Sequence, residues 1–282
     1  MIYGLSAAVG WGLADFFGAV SGRRVGGVAA VIVGQTFSAV FMTVVLLATG
    51  TSIGILGRDV WLLTVNGAVA AFAYTAHYRA LELGPVAVVS PIGAAYALVA
   101  VALNVAFLGE RPSVVALTGA AIAVVGVALV STDLPKLMDG ISQRAPGLRW
   151  AIAAALAFGV AAFLLGWVSD RAGWIAGLWG SRVAQIAFYA PLIVAFRRQV
   201  SALRPGVGLW VALLAGAADV LGVVSFSVGS EIGLNSIVVA ASAVFPLIAV
   251  VLSIVVFDER VVANQIVGIA LVVGGLLLLG LG

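Results

Sequence analysis

Apolar runs of about twenty residues, separated by short clusters of charge, proline and glycine, fill the chain from end to end. A membrane's hydrocarbon core is about 30 Å thick, and a helix needs about 20 mostly apolar residues to cross it. Ten stretches have that length, near 2–21, 28–49, 59–81, 85–108, 113–132, 149–168, 173–196, 207–229, 234–257 and 262–281. The pattern predicts an all-α integral membrane protein with ten transmembrane helices. Two connections, LGERPS at 108–113 and FDERVV at 257–262, are so short that the helices they join must form antiparallel hairpins. The first run, MIYGLSAAVGWGLADFFGAV, has no basic flank and contains Asp15, so it is expected to be a first spanning helix and not a cleaved signal segment.

The same pattern is written twice. Residues 80–131 align with 229–280 at a constant shift of 149 without a gap, and 15 of those 52 positions are identical. The matches include polar and glycine positions: Glu82 with Glu231, Gly84 with Gly233, Glu110-Arg111 with Glu259-Arg260, Gly119 with Gly268 and Gly126 with Gly275. Trp61 and Trp210 keep the shift, while Gly12 and Arg24 match Gly159 and Arg171 at a slightly smaller one. Each unit holds five helices, an odd number, so the second must enter the membrane from the opposite side. The expectation is two inverted five-helix repeats, 1–132 and 149–282, joined by the long connection 133–148. Many secondary transporters follow this plan, with the substrate site near the midplane between the halves and transport by alternating access.

Composition narrows the chemistry. Only 9% of residues are charged and the mean hydropathy is +1.24, against about 25% charged in soluble proteins. With no cysteine and one histidine, neither a disulfide, a thiolate metal site nor a His-rich cluster can be built, so no metal and no cofactor are expected. The net charge of +3 is spread thinly, which excludes a basic nucleic-acid groove. An enzyme would need a nucleophile with its base, a metal cluster or paired acids, and the scattered carboxylates supply none of these.

The residues resemble the EamA-type members of the drug/metabolite transporter superfamily, ten-helix carriers of small metabolites. The resemblance rests on WGLADFF at 11–17 and the weaker FGVAAFL at 158–164, which open the two halves, and on Glu110 with Gly119 and Gly126, then Glu259 with Gly268 and Gly275, which close them. The second half departs in carrying Asp258 where the family has glycine, and Gln35 stands where Arg182 has its counterpart. The resemblance implies a metabolite exporter, with an amino acid or amphipathic amine as the first cargo class. Import on the same fold is the alternative, and a membrane scaffold or sensor the more distant one. Small-molecule substrate, lipid bilayer and a coupling proton are the expected partners, and the cell (inner) membrane the expected location; no oligomeric state is implied.

Ionisable groups at bilayer depth are costly, by about 2.5–3.5 kcal/mol on insertion scales, and face a bundle interior or a cavity. Asp15, Arg182 and Asp219 are such groups. One reading is a structural ion pair of Arg182 with Asp15 or Asp219. The other is a carboxylate that binds a substrate ammonium or titrates during transport, with Arg182 facing a substrate carboxylate. Trp11 and Asp15 share one helix face, as do Tyr74, His77 and Tyr78, and these faces either line a cavity or belong to the interfacial aromatic belt. Tyr96, near mid-depth, is a cavity-lining candidate, whereas Trp167, Trp174 and Trp179 are expected belt anchors. Pro91 and Pro246 are candidate kink positions. Glu82, Glu110-Arg111 and Glu259-Arg260 are expected to serve turns through capping and local pairing, and His77 is a candidate for pH-sensitive gating.

Orientation can be read from charge. The side bearing both termini, side A, holds Arg58, Arg111 and Arg171 in its connections, while side B holds Arg23, Arg24, Lys136, Arg144, Arg149, Arg197, Arg198, Arg204 and Arg260, with Arg79 near it. The positive-inside rule makes side B cytoplasmic and the termini external; the family resemblance implies cytoplasmic termini.

Overall fold

The computed structural model describes residues 2–108, 112–130, 146–197, 205–231, 242 and 245–281. Eleven α-helices carry these residues: α1 (Ile2–Val25), α2 (Gly27–Thr49), α3 (Val60–Leu83), α4 (Val86–Ala94), α5 (Tyr96–Leu103), α6 (Val114–Val130), α7 (Leu148–Ala172), α8 (Trp174–Ala195), α9 (Val207–Glu231), α10 (Phe245–Phe257) and α11 (Ala263–Leu281). α4 and α5 make up one span, interrupted at Ala95 and closed by a π-helical turn at Asn104–Leu108. Connecting residues 133–145, together with Glu110 and Arg111, lie outside the described residues.

Six helical stretches among the described residues are long and apolar enough to cross a membrane: α2, α4 to Phe107, and α7, α8, α9 and α11 over most or all of their length. The ten expected spans are therefore met in part. α6 and α10 are apolar but only 17 and 13 residues long, and the start of the expected span 234–257 falls largely outside the described residues. α1 and α3 are 24 residues each, but Asp15, Arg23 and Arg24 in one and His77, Arg79 and Glu82 in the other dilute their hydropathy.

The outer faces are apolar, and the largely apolar interior holds a few polar groups. Leu47, Val114, Val194 and Val255 are 73–79% exposed on the outer faces, while Asp15, Gln35, Asn66, His77, Arg182, Gln185 and Asp219 are buried inside. Such a surface is suited to lipid, and the interior carries the hydrogen-bonding groups that lipid cannot satisfy.

Two single-glycine turns shape the bundle. Gly26 between α1 and α2 has φ 88° and Gly173 between α7 and α8 has φ 78°, a region that costs an L-residue strain; each lets a helix reverse with one intervening residue. Packing then repeats across the halves. α1 lies along α9 as α7 lies along α3; α2 meets α9 as α8 meets α3; α1 crosses α10 as α7 crosses α4 and α5; α6 packs on α11 and α2 on α8.

Close approach at glycine makes these contacts possible, as expected where lipid provides no hydrophobic drive between helices. A Cβ on Gly119 would stand 2.6 Å from the Gly275 carbonyl oxygen, and one on Gly126 2.7 Å from that of Gly268. A Cβ on Gly12 would strike Ile248 and the Phe245 carbonyl, as one on Gly159 would strike Val99 and the Tyr96 carbonyl.

The two candidate kink prolines, Pro91 and Pro246, lie in α4 and α10. Pro91 lies inside α4, yet the interruption falls at Ala95, one turn beyond the ring. Pro246 lies in α10 beside residues 243–244, which fall outside the described residues. Pro191, not singled out in the sequence, is inside α8.

Hydrogen bonds link the helix ends on side B. Pro85 gives α4 no side-chain cap; instead Glu259, from the α10–α11 connection, accepts the N–H groups of Val86 and Ala87, both at 3.1 Å. Arg23 Nη2 donates to Glu259 at 3.0 Å and to the Gly84 carbonyl at 3.1 Å, and its guanidinium lies over the Phe257 ring. Glu82 accepts the Gly27 N–H at 3.0 Å and pairs with Arg79. Turn service was expected of Glu259, but its partners are a distant helix and Arg23 in place of local neighbours, because the fold brings the α10–α11 connection against the start of α4.

Candidate functional site

Four helices converge on Arg182. On a helix rising 1.5 Å per residue, Arg182 lies about 12 Å into α8 and Asp219 about 18 Å into α9, both far from the ends. Arg182 Nη2 donates to Asp219 Oδ2 at 3.0 Å and to the Tyr74 hydroxyl at 3.0 Å. Tyr74 in turn donates to Asp219 Oδ1 at 2.9 Å, closing a three-residue ring among α3, α8 and α9. Arg182 Nη1 donates to Gln35 Oε1 on α2 at 2.6 Å and to Gln185 Oε1 at 3.0 Å, and Gln185 Nε2 reaches the Tyr189 hydroxyl at 2.8 Å. The guanidinium also lies 5.0 Å from the Tyr74 ring centre.

Of the two partners the sequence offered Arg182, Asp219 is paired with it and Asp15 is not. The side chains of the pair are 5% and 6% exposed, so both charges have left water and depend on this network for compensation.

Asp15 has a different partner. His77 Nε2 lies 2.7 Å from Asp15 Oδ1, with the side chains 8% and 10% exposed. Asp15 Oδ2 and His77 Nδ1 are buried with no hydrogen-bond partner among the described residues. The imidazole is wedged against Gly93 of α4, where a Cβ would come 3.1 Å from its Cε1. Phe158 of α7 meets the ring of Tyr74 at 4.8 Å and that of His77 at 5.6 Å, centre to centre, so one aromatic side chain touches both polar clusters.

The expected shared faces divide among partners. Tyr74 serves Arg182 and Asp219, His77 serves Asp15, and Tyr78 is buried against Gly18 and in the α2–α8 core near Val28 and Tyr189. Trp11 turns from Asp15 toward α9 and α10, stacking near Phe226 at 5.5 Å and Phe245 at 6.0 Å. Trp11 and Tyr96, with Ala94, Ala97, Ser242, Phe245 and Leu276, line a cavity of about 20 Å³, room for a single water. Asp15, His77, Arg182 and Asp219 are themselves buried. A larger depression of about 620 Å³ opens at the side-A ends of α3 and α7, lined by Arg58, Asp59, Trp61, Trp167 and Arg171. Within it Arg171 pairs with Asp59 at 2.6 Å, and Trp61 meets Trp167 edge to face. Trp179, an expected belt residue, donates its indole N–H to Thr43 on α2 at 3.0 Å.

Gln185, Tyr189 and Phe158 were missed in the sequence. Gln185 and Tyr189 follow Arg182 at i+3 and i+7, the spacing of one helix face, a signal that was there to be read. Gln35 was noted only as a departure from the repeat, yet it meets Arg182 across the α2–α8 contact.

The family model described as the EamA-like transporter family matches residues 1–132 and 145–281. A solved crystal structure superposes with a TM-score of 0.69 over 99% of this chain and 96% of its own, at 21% identity, a likeness of fold. No functionally curated protein matches the chain.

Proposed function

The chain belongs to the EamA-like transporter family, a family of membrane transporters and not of enzymes, and from that premise we propose that it is a secondary transporter whose substrate site is the buried Arg182–Asp219 pair. The cargo is a small organic metabolite, an amino acid or amphipathic amine, moved outward across the cell membrane. The observation that carries this reading is the internal pair itself. Arg182 and Asp219 present at mid-depth the two charges that a zwitterion would bring in complementary form: a carboxylate for the guanidinium, an ammonium for the carboxylate. In the closed centre they satisfy each other. A zwitterionic cargo replaces that contact with two equivalent ones, so neither charge is stranded when the pair separates.

Alternating access by two inverted repeats, divided at 133–148, is supported by the glycine contacts. Gly119 corresponds to Gly268 and Gly126 to Gly275 in sequence, yet Gly119 faces Gly275 and Gly126 faces Gly268. A crossed pairing of equivalent positions is what a two-fold axis between α6 and α11 produces. Gly12 with Phe245 and Gly159 with Tyr96 repeat the relation, since both residues of each contact are equivalents.

Flux of radiolabelled amino acids and aryl amines into proteoliposomes tests the reading. Asp219→Asn is expected to lower flux about 10- to 100-fold, the consequence of losing a charged hydrogen bond worth about 1.5–3 kcal/mol, with protein yield retained. Absence of flux for every member of both classes with the native chain would remove the proposal.

A further inference from the structure

We propose that Asp15 and His77 form a one-proton binding site, separate from the Arg182–Asp219 pair, and that this proton is the transporter's coupling ion. The inference rests on the transporter reading above for its purpose, but on its own geometry for its chemistry.

Charge accounting selects this pair. Arg182 and Asp219 are neutral together and nearly fully hydrogen-bonded, so adding a proton to Asp219 would leave a buried guanidinium uncompensated. Asp15 and His77 are two bases sharing one 2.7 Å contact. With one proton they are net neutral, whether it sits as carboxylic acid beside imidazole or as carboxylate beside imidazolium. With none the pair carries a buried negative charge, and with two a buried positive one. Burial penalises both of those states, so the pair holds one proton while closed and exchanges it only when water enters.

No neighbour among the described residues relieves that constraint. On α3, Tyr74 is committed to Asp219 and Arg182, while Tyr78 is within electrostatic reach of Asp15 and Asp219. α7 presents Phe158 and α4 presents Gly93, with Ser90 one turn earlier, its hydroxyl also without a partner among the described residues. α2, α4 and α10 contain no ionisable residue. The charges Arg23, Arg24, Arg79 and Glu82 lie two or more residues beyond the pair, toward side B.

The arrangement couples proton to conformation. Asp15 is on α1, the helix whose Arg23 joins the side-B closure, and His77 is on α3, which carries Glu82 of that closure. Phe158 packs on both His77 and Tyr74, so movement of the imidazole is passed to the Arg182 site through one ring.

The single histidine and the absence of cysteine make the test direct. Native chain in lipid nanodiscs, labelled with ¹⁵N-histidine and ¹³C-aspartate, is expected to show the His77 nitrogens and the Asp15 carboxyl carbon changing over one shared pH step. Separate steps, or a ring that never responds, would overturn the site. The second readout is thiol labelling of Ser21→Cys, a buried position on α1, with each rate normalised to unfolded protein at the same pH. Labelling should change at least threefold across the shared step and lose that dependence in Asp15→Asn and in His77→Gln. A flat profile with both residues present would overturn the coupling role. Should one variant fail to fold, the other and the native-chain spectra still decide. Neither readout uses a cargo, so failure here leaves the Arg182–Asp219 reading standing, and absence of flux would leave the proton site standing.

Discussion

Removing Glu259 should open side B. Its carboxylate caps the uncapped start of α4 through two N–H groups at 3.1 Å and holds Arg23 at 3.0 Å. A helix N-cap contributes about 1 kcal/mol, and a negative charge beside a helix N-terminus about 0.5 kcal/mol. The ion pair is discounted to about 0.5 kcal/mol, since the Arg23 side chain is 31% exposed. Glu259→Ala therefore weakens the closure by about 2 kcal/mol, an increase of about 30-fold in the open population. Glu259→Gln keeps an acceptor but loses the charge, and should give about fivefold. Because the chain has no cysteine, a single reporter suffices: Ser90→Cys, fully buried on α4, labelled by a membrane-impermeant maleimide from side B in oriented vesicles. Labelling rates should rise in the order native, Gln, Ala. Equal rates in all three, with the fold intact, would refute the view that this contact closes side B.

Other expectations follow from the same geometry. Gly126→Leu places a side chain where a Cβ already meets the Gly268 carbonyl at 2.7 Å; separating α6 from α11 should cost about 1–3 kcal/mol, read as a lower melting temperature in detergent. Arg171→Ala breaks the pair with Asp59, but the arginine side chain is 51% exposed, so the loss should stay below about 1 kcal/mol and leave melting unchanged within a degree or two. Alkaline phosphatase fused after Gly282 should be active if the excess of arginine on side B sets the orientation, and inactive if the termini are cytoplasmic.

Much of the bundle was legible because lipid imposes a one-dimensional rule: apolar runs of fixed length, broken by charge. Where that rule was diluted, the reading weakened. Asp15, His77 and Glu82 lower the hydropathy of α1 and α3 because those helices line the interior, so membrane length and membrane composition no longer coincide. Turn service by Glu82 and Glu259 was legible from the duplication, but the partners of Glu259 were not, since residues 86 and 259 meet only once the helices pack.

The sequence by itself determined the membrane setting, a recurring pattern of apolar runs, and the ionisable groups expected at bilayer depth: Asp15, Arg182 and Asp219. Their types and depths follow from composition and spacing, which are local. Only the tertiary structure decided who pairs with whom. Asp15 and Asp219 were interchangeable partners for Arg182 on paper, since each is one carboxylate at depth on an interior helix. Packing of α3 against both α1 and α8 separated them, giving Asp15 to His77 and Asp219 to Arg182 and Tyr74. A hydrogen bond is set by ångströms and angles, and those exist only after glycine contacts such as Gly10 with Gly222 have fixed how closely each helix approaches the next.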